Sequence, residues 1–306
     1  MRFMEPSFSF LIALAALVFV ALVFAGWWYR RGLKPFELEV TTKSVGPWTW
    51  RYHSSGRGPA LVLIHGIGAN LYCWRWLIPH LNTRFRVLAI DLPGFGGSSK
   101  PKSETYGLDE QCDRIFAFLD ALAIDQAFVV GNSMGGNIAL WLARSRPERI
   151  RGVTVIAPAT SPKLIPLNLN RLAWASAPLS LLLSRPALRW AHRRTVSRKE
   201  RVDLARVEES YRTYVRRPEA VRSFLRATEA IRDPRLPAAL KEVKDPVLLL
   251  WGARDRLVSK KTIDDLEAAL GATSRHVHET GGHHLQEDEP EWVAQHIVEF
   301  FSRIQD

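Results

Sequence analysis

A serine hydroxyl becomes an effective nucleophile at neutral pH only when a base takes its proton and a carboxylate orients that base. The stretch Gly131-Asn132-Ser133-Met134-Gly135-Gly136 offers such a hydroxyl. It follows an apolar run at residues 127–130 and opens a helical pattern, which predicts Ser133 at a sharp strand-to-helix turn. Glycines two residues to either side supply the room that this turn needs. The plainer alternative is a serine merely packed in a glycine turn. Charge developing on Ser133 would lie over a helix N-terminus, whose dipole favours it.

The base and its carboxylate are expected later in the chain, at strand ends. Asp255 closes the run Trp251-Gly252-Ala253-Arg254-Asp255, in the loop after an apolar strand at residues 247–251. Asp264 and Asp265 fall inside a polar helical stretch, and Asp245 precedes the strand at its wrong end. Four histidines compete for the role of base. His276 and His278 alternate within a predicted strand, so their side chains share one side of it. His283 and His284 both adjoin Gly281-Gly282, and residue type alone leaves the choice between them open. The order Ser, Asp, His matches one triad arrangement known on parallel sheets.

An oxyanion formed at Ser133 needs preorganised N–H donors. The backbone amide of Met134, directly after the nucleophile, is one candidate, and that of Ile67, in His65-Gly66-Ile67-Gly68 after the strand at 60–64, is the other. His65 reads as a residue that holds its loop, and Asp91, in Asp91-Leu92-Pro93-Gly94, as another loop-fixing group without metal-ligand partners nearby.

These residues must be positioned by a sheet. Residues 37–43 and 48–53 read as hairpin strands, and 60–64, 86–90, 127–130, 152–156 and 247–251 as short, wholly apolar strands of a sheet buried on both faces. With the strand of His276 and His278 this makes eight. Residues 108–123 and 134–145 have helical spacing, with Ile115, Phe118, Leu119 and Leu122 on one stripe. The alternation predicts an α/β fold with a mostly parallel eight-stranded sheet. It stops at Pro158 and resumes at Pro246, with helix-like stretches between prolines in the gap, so a helical lid is expected after the sixth strand. Four segments result: a membrane anchor and linker at 1–35, a first core part at 36–159, a basic helical lid at 160–244 and a second core part at 245–306.

With 47% hydrophobic and 24% charged residues in 306, the composition excludes a disordered or collagen-like chain. Cys73 and Cys112 form neither a disulfide framework nor a Cys-x-x-Cys site, and are expected as two half-buried thiols. No metal or organic cofactor is implied. The net charge of +11 sits entirely in residues 160–244, which hold 19 Lys and Arg against 8 Asp and Glu. No nucleic-acid motif accompanies it, so nucleic acid is not an expected partner. Instead, residues 164–190 are rich in Leu, Ala and Trp and residues 192–201 are densely basic, a combination suited to anionic lipid headgroups. The competing reading packs those leucines on the sheet and leaves the arginines solvated.

From Pro6 to Tyr29 the chain carries no charge. At about 1.5 Å per residue this segment spans about 36 Å, enough to cross a bilayer core with some tilt. Trp27, Trp28 and Tyr29 suit an interfacial belt, and Arg30, Arg31 and Lys34 follow. A single-pass anchor is expected in preference to a cleaved signal peptide, with the catalytic part facing the cytoplasm.

Five motifs in order, HGIG at 65–68, DLPGFGGS at 91–98, GNSMGG at 131–136, WGARD at 251–255 and GGHHLQEDEP at 281–290, resemble the α/β-hydrolase superfamily over residues 37–306. In that family the catalytic histidine directly follows the glycine, seven residues before a proline, and the resemblance therefore selects His283, with Pro290 at that spacing, over His284. DLPGFGGSSKP and GHHLQEDEP look like haloalkane dehalogenases and epoxide hydrolases, from whose aspartate nucleophile Ser133 departs. GNSMGG is similar to the carbon–carbon hydrolases of ring-fission products and to monoacylglycerol-lipase-like membrane serine hydrolases, the latter pairing an N-terminal anchor with a helical lid. The expectation is a membrane-anchored serine hydrolase of an acyl ester or lipid substrate, with Ser133, Asp255 and His283 as triad and Ile67 and Met134 as oxyanion donors. A soluble-substrate carboxylesterase or carbon–carbon hydrolase, and a non-catalytic binding protein, are the alternatives.

Overall fold

A computed structural model describes residues 38–102, 104–270 and 273–305. The expected anchor at 6–29 lies outside the described residues, and among those described no helix is long and apolar enough to cross a membrane. Eight strands, β1 Thr41–Val45, β2 Trp48–Ser55, β3 Ala60–Ile64, β4 Arg86–Ile90, β5 Ala127–Asn132, β6 Ile150–Ile156, β7 Val247–Gly252 and β8 Thr273–His278, form one sheet. Their order is β1-β2-β4-β3-β5-β6-β7-β8. β2 pairs antiparallel with β1 and with β4, and all other neighbours are parallel.

The short strands are apolar throughout because each feeds both faces of the sheet. In β3, Val62 and Ile64 join a core layer with Phe118, Ile138 and Trp141. Leu61 and Leu63 point the other way, into a layer with Trp74, Ile297 and Phe301. The period of two along an unbroken apolar run thus builds two cores at once.

Among the described residues the α-helices before the lid are α1 Ile78–Leu81, α2 Leu108–Ala121 and α3 Met134–Ser145. The spacing extends the second of these to residue 123, but Leu122 leaves helical geometry, and Ala123, at φ 53°, turns the chain while its amide donates to the Asp120 carbonyl. Between β6 and β7 the chain forms six short helices: α4 Ser176–Leu182, α5 Arg185–Thr195, α6 Leu204–Tyr214, α7 Pro218–Ala227, α8 Glu229–Arg232 and α9 Leu236–Ala239. Three follow β7: α10 Lys260–Ala269, α11 Leu285–Asp288 and α12 Pro290–Gln305. Prolines open α5, α7 and α12 in their first turn, where the missing N–H costs nothing.

Candidate active site

β3 and β5 are neighbours, yet the chain passes from β3 to β4 on one side before returning to β5 on the other. Such a switch point opens a crevice at the carboxyl ends of the strands. The loop after β3 and the turn after β5 both lie there. Ser133 occupies that turn with φ 56° and ψ −120°, a conformation that costs a non-glycine residue about 1–3 kcal/mol. The surroundings enforce it. A Cβ on Gly131 would run into the Gly135 carbonyl, and one on Gly135 into that of Ile64, so the two glycines let strand, turn and helix close on one another. A Cβ on Gly66 would lie 3.0 Å from that of Ser133, which puts the loop after β3 directly against the serine.

Asp255 and His283 meet across two further loops. His283 Nδ1 lies 2.9 Å from Asp255 Oδ2, with both side chains almost wholly buried. The other oxygen, Oδ1, accepts the amides of Leu257 at 2.7 Å and Val258 at 3.0 Å. That loop fixes the carboxylate and leaves one oxygen for the imidazole. Asn132, the residue before the serine, donates from Nδ2 to the carbonyls of Ile156 and His283, each at 3.0 Å. One side chain therefore ties the serine turn to the histidine loop.

Met134 is the first residue of α3, so its N–H has no acceptor within the helix. The Ile67 amide donates to no acceptor among the described residues. The Ile67 loop is held from below by His65, whose Nε2 accepts the Leu92 amide at 3.1 Å and whose Nδ1 donates to the Gly66 carbonyl at 2.8 Å. Burial pushes this imidazole down to about 4, and it serves as a neutral brace between two loops. Asp91 accepts the amides of Leu71 and Gly97, both at 2.7 Å, with Arg51 3.4 Å away. Burial raises its pKa to about 6.

His284 is turned away from Asp255. Its Nδ1 lies 2.8 Å from both Glu287 Oε1 and Arg206 Nη2, and burial, with Arg206 alongside, pushes its pKa well below the ordinary imidazole value. Glu287 also pairs with Arg206 and, at 2.7 Å, with Arg75. Arg75 in turn reaches Asp203 at 3.2 Å and the Arg201 carbonyl at 3.1 Å. This buried network clamps the lid to the histidine loop. The clamp is reinforced by His284 N donating to the Thr195 carbonyl at 2.8 Å and by Asp288 accepting the amides of Ser197, Arg198 and Gly282. Phe224 of α7 packs over Gly68 on the loop after β3. Under this cover Ser133 is 7% exposed and His283 3%.

The remaining sequence candidates are placed elsewhere. His276 and His278 lie on β8 against His296 and Trp292. Asp264 and Asp265 pair with Lys260 and Lys261 at the surface. Cys73 and Cys112 are buried outright, not half-buried, and burial pushes the Cys73 thiol up to about 12. Among the described residues no group of three or more His, Cys, Asp and Glu is placed to hold a metal ion. Sequence reasoning missed Asn132 and the Arg75, Arg206 and Glu287 network. The only signal was the acidic run at 287–289, which is silent about its partners.

The alpha/beta hydrolase fold family matches residues 59–290, and the chain belongs to it. It is 30% identical over 263 residues to the 2-hydroxymuconate semialdehyde hydrolase of Pseudomonas sp. (strain CF600), covering 83% of this chain and 88% of that protein. Among solved structures it is similar to a membrane phospholipase A described as a bacterial virulence factor, at 28% identity and TM-score 0.73, over 97% of this chain and 96% of that one. It is also similar to the meta-cleavage product hydrolase of Pseudomonas fluorescens IP01, at 26% identity and TM-score 0.75, over 87% and 99%. The protein is a hydrolase built on a mostly parallel eight-stranded α/β sheet.

Proposed function

We propose that the protein is a membrane-anchored serine hydrolase that cleaves carboxylic esters of acyl lipids, of the monoacylglycerol or lysophospholipid type, through an acyl-enzyme. The observation that carries this reading is the strained Ser133 turn, tied through Asn132 to a histidine whose Nδ1 meets a buried aspartate. In this mechanism Ser133 Oγ attacks the ester carbonyl while His283 Nε2 takes its proton. Asp255 Oδ2 accepts the Nδ1–H and stabilises the imidazolium. The amides of Met134 and Ile67 donate to the oxyanion, each worth about 3 kcal/mol in the transition state. Collapse of the tetrahedral intermediate breaks the ester bond, and the departing alkoxide takes the proton from His283. Water, deprotonated by the same base, then releases the carboxylic acid and restores the serine.

Likeness to a membrane phospholipase A over nearly the whole chain supports a lipid ester. The uncharged segment at 6–29 is the proposed anchor, with Arg30, Arg31 and Lys34 marking a cytoplasmic side. A second reading, cleavage of a carbon–carbon bond in a soluble ring-fission product, is favoured by the likeness to the 2-hydroxymuconate semialdehyde and meta-cleavage product hydrolases. Hydrolysis of p-nitrophenyl esters of increasing chain length by the full-length protein separates the two. A lipid esterase prefers medium or long chains. Poor turnover of every ester beside rapid turnover of a ring-fission product would establish the second reading.

A further inference from the structure

Eight large hydrophobic side chains are exposed among the described residues, and six of them fall between residues 167 and 190. Trp174 is 82% exposed, Leu182 75%, Leu167 70%, Leu181 67% and Trp190 64%, with Leu172 also exposed. This is not a loosely packed lid with random leakage. Leu169, Ala173, Leu179 and Leu183 of the same stretch pack inward against Tyr214, Val221 and Leu225. The inward residues satisfy the fold, and a second set of apolar side chains is turned to solvent.

Cations accompany that second set. α5, which carries Trp190, has no buried residue at all, and its Arg189, Arg193 and Arg194 have no acidic partner among the described residues. Arg194 lies over the Trp190 ring, 5.2 Å from its centroid. Arg171 beside Leu172 and Trp174 is likewise exposed and without an acidic partner among the described residues. Tryptophan and leucine exposed beside unpaired arginine fit the chemistry of a lipid interface: the rings and aliphatic chains enter the headgroup region, and the guanidinium groups meet phosphate. A soluble surface that merely needed charge would not add two tryptophans to it.

We infer that the outer face of the lid stretch 167–194 docks on an anionic lipid bilayer. The inference rests on the proposed lipid hydrolase for its purpose, since such docking sets the lid of a buried Ser133 against the substrate's own phase. Its test does not rest on catalysis. Cys73 and Cys112 are both buried, so a single introduced cysteine can be labelled selectively. Full-length Ser133→Ala protein carrying Trp174→Cys or Trp190→Cys, each labelled with an environment-sensitive fluorophore, is reconstituted with phosphatidylglycerol and phosphatidylethanolamine vesicles doped with nitroxide lipid. Glu148→Cys, exposed beyond the far end of α3 from Ser133, is the reference. Quenching at 174 and 190 should exceed that at 148 by about threefold or more. It should fall in phosphatidylcholine vesicles, and fall again with Arg193→Glu and Arg194→Glu together. Quenching at 174 and 190 no greater than at 148 would overturn the inference. So would labels already shielded in lipid-free protein that cross-link to residues 1–37 or to a second copy, since the face would then be covered by protein. Loss of ester turnover in otherwise wild-type protein with intact quenching would count against the hydrolase reading alone.

Discussion

The helix that follows Ser133 and the helix that carries Trp190 are built to opposite rules. In α3 ten residues, Met134 to Ala143, are buried, and glycines at 135 and 136 allow the end of β3 and the loop after β6 to approach within contact. In α5 no residue is buried. The region at the carboxyl ends of the central strands uses its sequence to fix a few atoms, including one backbone conformation that costs about 1–3 kcal/mol. The lid turns part of its sequence outward, and it is joined to the rest of the fold by buried charges and by apolar residues such as Ile231, Leu236 and Leu240 that enter the main core. The proposed chemistry thus lies where the backbone is tightly enclosed, and the proposed contact with the surroundings where side chains are exposed.

The contrast can be broken most severely at the triad. Asp255→Asn should keep the loop amides bound and the fold intact while lowering ester turnover about 10⁴-fold, because the imidazole is then held in the wrong tautomer. Steady-state turnover beside an unchanged melting curve checks this. The clamp between the regions comes next. Glu287→Gln leaves buried Arg206 without its counter-charge and Arg75 with Asp203 alone, and should cost about 3–5 kcal/mol by urea unfolding. Asp264→Asn, which loosens surface pairs with Lys260 and Arg275, should leave turnover unchanged and the unfolding curve nearly so.

A smaller effect comes from the brace under the loop after β3. His65 has its pKa lowered on folding from 6.5 to about 4, so the unfolded chain binds more protons in that window. Stability from the neutral ring is fully present above about 6.5 and is lost as pH falls toward about 4, on the order of 3 kcal/mol in all. Asp91, raised by burial to about 6, acts in the opposite direction as it gains its proton. Buried His284 and half-buried His192, both lowered, add to the histidine side. Urea midpoints of wild type and His65→Asn between pH 7 and 5 isolate the His65 share. The wild type should lose more stability than the variant over that interval, and parallel losses would remove His65 from the account.

The same contrast explains what could be read in advance. The strands and the Ser133 turn were legible because their signals are local: an apolar run, then glycines at fixed offsets. Asp255 followed from its place after a strand. His283 could be told from His284 only by family spacing, and the structure shows what separates them: one ring meets Asp255 and the other Glu287 and Arg206. Asn132 was passed over because its partner, the His283 carbonyl, is 151 residues away. Arg75 and Glu287, 212 residues apart, were invisible for the same reason. Nor does composition say which lid leucines face inward, since Leu179 and Leu183 pack while Leu181 and Leu182 do not.

The central claim is an activated serine at residue 133, and it is tested most directly by a fluorophosphonate probe on the full-length protein beside Ser133→Ala and His283→Ala. The account predicts labelling of the wild type at Ser133 and none of either variant, with all three proteins folded. Labelling that survives in Ser133→Ala, or folded wild type that takes no label, would contradict it.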